Sequence, residues 1–323
     1  MSRVRFRPDV PVVALVLSVA LAGCAAPSGL AGPSGRAVTS APTSGGSSGG
    51  AVRPGVAAPA PHSVAGEQPP PAAGTVWTPL PTRSRGVARA FSAHPDPSTW
   101  LLWMDPRGLR FRFIPGLKYP ERSPVRAVDL QPSTWVPDLV AAFNGGFKLS
   151  DHVGGYVYAG RTVSPLRDGL ASLVVGDDGS LRVVVWGRDL RSTRGLLAVR
   201  QNLPSLVDHG RSMTRPTDSL TTWGLTLHHI ATANRSALGV LPDGSLVYVY
   251  VHDATAPALA DALVRLGVVT AIALDMNSGW PAALVFRHTG SRVSSTRLSP
   301  VMHQFLTAYY ARTTKDFIAV LAR

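Results

Sequence analysis

The chain has 323 residues, 32 lysines and arginines against 19 acidic residues, a formal net charge of +13, and one cysteine. A lone cysteine excludes an intrachain disulfide and a structural zinc site built from cysteines. The basic balance favours anionic partners such as phosphate-bearing polymers or lipid headgroups. Nucleic acid is not among them, because no arginine cluster is interleaved with aromatic residues.

Met1 to Gly23 reads as a secretory leader, with Arg3, Arg5 and Arg7 preceding an apolar run from Val10 to Ala22 that is too short to span a bilayer. Its removal, with Asp9, leaves a charge of +11. The run ends in "LAGC", which resembles a bacterial lipoprotein signal. Cys24 is then the lipidated N-terminus, and acyl chains on it hold the protein at a membrane. Residues 24–74 are almost entirely Ala, Gly, Pro and Ser, a tether that buries too little apolar surface to fold. As a flexible coil it reaches roughly 40 Å. From Thr75 to Arg323 no second linker intervenes, and a single domain is expected, exported and held on the outer face of the cell membrane.

Trp77 to Gln131, rich in tryptophan and arginine, is expected to supply early strands. "LVAAFNGGFKL" is an apolar strand, Leu139 to Phe143, that stops at Asn144-Gly145-Gly146. Asn-Gly is a strong hairpin-turn signal. The same glycines also let backbone N–H groups approach an anion while the asparagine amide orients it, and the two readings are compatible. Two hairpins follow, around Asp177-Asp178-Gly179 and around Pro242-Asp243-Gly244.

After the second hairpin, Pro257 and Gly267 bracket a helix over Pro257 to Leu266, with Leu259, Leu263 and Leu266 on one face. With strands Leu246 to Val251 and Val268 to Leu274 it makes a β-α-β unit. Asp275 sits at the carboxyl end of the second strand, a position where ligand crevices form. "SPVMHQFLTAYYAR" predicts a second helix and "DFIAVLA" a last strand. The expected fold is therefore α+β, a mixed and largely antiparallel twisted sheet with packed helices and one β-α-β unit.

Glu67 lies in the tether and Glu121 is the only glutamate beyond it, so any working carboxylates are aspartates. Asp177, Asp178 and Asp243 belong to turns and Asp261 to a helix surface. Asp275 is the first candidate, Asp168 in "PLRDG" the second and Asp253 the third. The plain alternative for Asp275 is an aspartate that caps its own turn. His228 and His229 point to opposite faces in a strand and do not share a metal. A divalent ion on Asp275, Asn277 and backbone oxygens would have a thin ligand set. No cofactor or metal is expected.

"AFNGGF", "RQNLPSLVDHGR", "NRSALGVLPDGSLVYVYV", "LADALVRLG" and "AIALDMNSG" occur in the order and approximate spacing of the phosphodiester glycosidase family, the uncovering-enzyme-like domain. The resemblance covers roughly Val140 to Ser278. It implies hydrolysis of a glycosyl phosphodiester, with Asn144, Gly145, Gly146 and Arg235 at the phosphate, Asp275 at the anomeric centre, and Asn277 and Ser278 within reach of the substrate. The sequence departs from the family where glycines after the aspartate are replaced by "MNSG" and where "HD", His252-Asp253, stands in place of Asp-Gly. A phosphate-bearing envelope glycan or glycolipid is the expected substrate. The alternatives are a non-catalytic protein that binds anionic glycans in the same cleft, and a wall-assembly scaffold.

Overall fold

The computed structural model describes residues 75–80, 88–226 and 230–323, together with Pro69. The expected leader, Cys24, the rest of the tether, and His228 with His229 lie outside the described residues. Among the described residues three sheets form. The first runs, in spatial order, β1 (Thr78–Pro79), β2 (Ala90–Asp96), β3 (Thr99–Met104), β14 (Leu246–Ala254), β13 (Ala233–Val240), β15 (Thr270–Ala273), β11 (Val207–Asp208) and β12 (Arg211–Ser212). The second runs β17 (Arg292–Arg297), β16 (Ala283–Thr289), β5 (Leu139–Asn144), β18 (Phe317–Ala322) and β4 (Leu109–Ile114). The third runs β7 (Arg161–Ser164), β6 (Tyr156–Tyr158), β10 (Leu196–Gln201), β8 (Ala171–Gly176) and β9 (Leu181–Val185).

One core joins them. Leu102, Tyr248 and Tyr250 come from the first sheet, Phe143 and Ile318 from the second, and Val175 and Ala198 from the third. Along β14 the side chains alternate between two cores. Leu246, Tyr248 and Tyr250 face the shared one, while Val247, Val249 and Val251 face a second core covered by the helix α1 (Ala256–Arg265). Burial on both faces is why β14 reads as an unbroken apolar run.

The helix is set by its ends. Thr255 Oγ1 accepts a hydrogen bond from the Ala258 N–H at 3.2 Å, Pro257 lies in the first turn, and Gly267 closes the far end at φ +79°. Leu259 and Leu263 then join Val249 and Ala271 in that second core.

Both expected hairpins form, as β8–β9 and β13–β14. The α+β expectation is corrected, because every pair of neighbouring named strands is antiparallel and α1 is the one α-helix among the described residues. The strand–helix–strand unit exists, but β13 lies between β14 and β15 and pairs antiparallel with both, so its two strands never meet as a parallel pair. The expected C-terminal helix is also absent: residues 299–314 run through turns. Tyr309 stands at φ +69°, outside helical space, and side chains of the neighbouring strand claim the carbonyls that a helix would use internally. Arg297 Nε donates to Gln304 O at 2.6 Å and Ser295 Oγ donates to Leu306 O.

Because Leu263 is fully buried between α1 and the first sheet, Leu263→Ala is expected to cost about 2–5 kcal/mol of stability. Urea unfolding followed by circular dichroism would measure this.

Candidate functional site

The site is built around Asn144-Gly145-Gly146, where β5 ends. These residues do not form a hairpin: the neighbours of β5 are β16 and β18, both distant in sequence. Neither glycine has positive φ; each is needed for its missing side chain. A Cβ on Gly145 would lie 2.5 Å from Asp316 Oδ2, and one on Gly146 would overlap the Asn202 amide. Gly145 donates its N–H to Asp316 O at 3.0 Å and accepts from the Asp275 N–H at 3.1 Å. Asn202, at the end of β10, accepts from the Phe147 N–H at 3.2 Å and donates to Ala273 O at 3.1 Å. The ends of β5, β10 and β15 and the start of β18 thus converge on two glycines.

Asn144 is buried and its amide is fully engaged. Nδ2 donates to Ser236 Oγ at 3.1 Å and Gly145 O at 3.2 Å, and Oδ1 accepts from Tyr248 OH at 2.9 Å and the Ala282 N–H at 3.1 Å. Ser236 Oγ in turn donates to Asp275 O at 2.9 Å. The asparagine clamps the strands that carry the site.

Asp275 follows β15 and lines two adjoining cavities of about 390 and 620 Å3 that share Asp275, Trp280 and Lys315. Its Oδ1 accepts from the Met276 N–H at 2.9 Å, so it does cap its own turn, and its Oδ2 receives the Lys315 ammonium. The Lys315 Nζ also lies 4.4 Å from the Trp280 ring centre and 6.0 Å from that of Tyr119. Lys148 stands over Tyr119 at 4.9 Å and near Trp280 at 5.8 Å, and Lys118 over Tyr119 at 5.2 Å. All three lysines of this arginine-rich chain therefore meet at one ring. Burial pushes the Lys315 ammonium down to about 8, with Arg200 and Lys148 adding to the shift and Asp316 and Asp151 opposing it.

Behind this wall is a second pair. Arg200 Nε donates to Asp316 Oδ2 at 3.2 Å, both residues being buried, and Arg200 also holds Phe147 O and Gln201 O. Burial raises the Asp316 carboxyl, against the pull of Arg200, Lys315 and the Gly146 N–H. That carboxylate occupies the position beside the glycines that the sequence reserved for a bound anion.

The other sequence candidates are dispersed. Arg235 is buried in β13 with no carboxylate partner among the described residues, donating to Ala254 O and Trp223 O at 2.9 Å each, and burial lowers it to about 10. It lines neither cavity. Asn277 lines the larger cavity, at φ +77°, with Nδ2 donating to Leu225 O at 3.2 Å. Ser278 is exposed on the same turn and outside both linings. Asp168 is exposed beside Gly187, and Asp253 is exposed near the end of β14 at φ +47°, so neither joins Asp275. Among the described residues no three of His, Cys, Asp and Glu gather as a metal-binding group.

Sequence reasoning missed Lys315, Lys148, Tyr119, Trp280, Asp316 and Arg200. One signal was available: three lysines among 32 cations. A carboxylate and an ammonium group at the junction of two aromatic-walled cavities can hold an anion and oppose positive charge developing beside it.

Residues 137–275 match the phosphodiester glycosidase family model, a span that ends on Asp275 itself. No curated protein matches the sequence significantly. Among solved structures, the chain is similar to the zebrafish N-acetylglucosamine-1-phosphodiester alpha-N-acetylglucosaminidase catalytic domain, auto-inhibited by its pro-peptide. The identity is 15%, the TM-score 0.43, and the match covers 77% of this chain and 82% of that one. A hypothetical protein from Synechocystis is also similar, at 13% identity and a TM-score of 0.36, over 77% of this chain and 62% of that one.

Asn144→Ala would leave Tyr248 OH and the Ala282 N–H without their partner, while Ser236 Oγ would keep only its bond to Asp275 O. The expected cost is about 1–3 kcal/mol for each buried group so stranded, which a shift of the urea midpoint would register.

Proposed function

We propose that the groove around Asp275 hydrolyses glycosyl phosphodiesters. The observation that carries this is the Asp275–Lys315 pair at the junction of both cavities, at the end of the family-matched segment. In this reading the substrate phosphate displaces Asp275 from Lys315 and is held there with Lys148, while the sugar ring lies against Trp280. The freed Asp275 carboxylate then faces the anomeric carbon, stabilises the positive charge growing on it and takes the proton of the attacking water. The bond between the anomeric carbon and the phosphate oxygen breaks, and a phosphomonoester leaves.

A phosphomonoester, with a second pKa of about 6, departs as an anion without the acid catalyst that an alkoxide requires. One aspartate with one lysine therefore suffices, where ordinary glycosidases use two carboxylic acids. Arg235 and Asn144 act beneath the site, holding the loops that aim Asp275, and Gly145 and Gly146 give the three sheets room to meet. Asn277 and Ser278 form the rim of the turn. Asp168 stands outside this assembly.

The leader and "LAGC" support export and a lipid anchor at Cys24 on the outer face of the membrane, which makes an envelope glycan or glycolipid the natural substrate. A second reading, a binder of anionic glycans without turnover, is favoured by one feature: both Asp275 oxygens already have partners in the unliganded protein.

The full chain in detergent, incubated with sugar-1-phosphodiesters and with simple aryl glycosides, separates these readings. Hydrolysis is expected for the phosphodiesters only, with kcat lowered about 10²–10⁴-fold in Asp275→Asn and KM raised in Lys315→Met. Binding with no turnover would establish the second reading, and turnover unchanged in both variants would remove the site from Asp275. Since Lys315 is cationic below its value of about 8, kcat/KM should fall as pH rises through that value. In Lys315→Arg, which stays charged, the fall should disappear.

A further inference from the structure

The smaller cavity has opposite chemistry at its two ends. Its inner end carries Asp275, Lys315 and Trp280; its outer lip carries Leu117 and Phe305, which are 66% and 79% exposed. Isolated apolar residues on a surface need no explanation. These two line the same cavity, and both sit on fixed backbone. The Leu117 N–H donates to Thr313 O at 2.8 Å, and Phe305 O accepts from the Ala308 N–H at 2.9 Å. Lys118, next to Leu117, turns back over Tyr119 toward the cationic end.

A wholly polar glycan would leave this lip unused and a neutral lipid would leave the lysines unused. An amphiphile with its anionic group between a sugar and a hydrocarbon chain fits both. We propose that the groove takes a sugar-1-phospholipid, a glycosyl phosphodiester whose second ester is an aliphatic chain. The phosphate sits at Lys315 and Lys148, the sugar beside Trp280, and the first methylenes of the chain between Leu117 and Phe305. This rests on the hydrolytic reading above and names its substrate class. Water adds at the anomeric carbon, the bond from that carbon to the phosphate oxygen breaks, and the products are free sugar and a lipid monophosphate.

The test is a series of phosphodiesters of one sugar with methyl, butyl and octyl chains, all below their critical micelle concentrations. The expected kcat/KM rises about two- to fourfold for each methylene that reaches the lip, and Leu117→Ser with Phe305→Ser brings the octyl ester down toward the methyl ester. A flat series with turnover overturns the lipid lip and leaves the hydrolytic reading standing. If no ester is turned over, the hydrolytic reading falls, and the lip is read from binding of octyl phosphate against methyl phosphate by tryptophan fluorescence. Tighter octyl phosphate, lost in the double variant, supports the lip; equal affinities overturn it.

Discussion

The close approach of backbone and carboxylate at Gly145 and Gly146 is the constraint on which the rest of the molecule depends. Three antiparallel sheets share one core, and their chain ends meet where no side chain fits: Gly145 touches Asp316 on one side and bonds Asp275 on the other, and Gly146 faces Asn202. Each of these partners comes from a different sheet or its end, so the glycines fix where the sheets stop relative to one another. A side chain at either position would separate Asp275 from the Lys315–Asp316 segment.

That junction also explains why charge can be buried here. Two ion pairs, Asp275–Lys315 and Arg200–Asp316, lie within a few residues of the glycines. An isolated charge in such surroundings is costly, and breaking a buried pair by removing one partner typically costs about 3–5 kcal/mol. Arg200 and Asp316 are both buried, Asp316 against the inner wall of the smaller cavity, and together form the electrostatic floor of the groove. Lys315, held between that floor and the groove, is the one whose charge a substrate can share. Its depressed value near 8 records the cost of keeping an ammonium there.

What was legible in the sequence was local. Hairpin turns, the Thr255–Gly267 helix signals and the strand ending in Asp275 all depend on contacts within a few residues. The placement of β13 between β14 and β15 was not legible, because a helix crossover is compatible with an intervening antiparallel strand already laid down. The C-terminal segment was misread because its apolar spacing resembles a helix, while the decisive bonds come from β17 side chains. In the candidate site, Asp275 stood out in the sequence because it ends a strand, whereas Lys315 lies 40 residues away and the Arg200–Asp316 contact spans 116. Arg235 was singled out by motif, and its bonds to two carbonyls show a structural load that sequence does not distinguish from an anion site.

The central claim is that Asp275 and Lys315 separate on binding, the lysine going to the phosphate and the carboxylate to the anomeric carbon. A crystal structure with a non-hydrolysable glycosyl phosphonate tests it most directly. The expected complex has a phosphonate oxygen within hydrogen-bonding distance of Lys315 Nζ, the sugar against Trp280, and an Asp275 oxygen turned toward the anomeric carbon. A phosphonate bound elsewhere, or one seated in the groove with the Asp275–Lys315 pair intact, would contradict it.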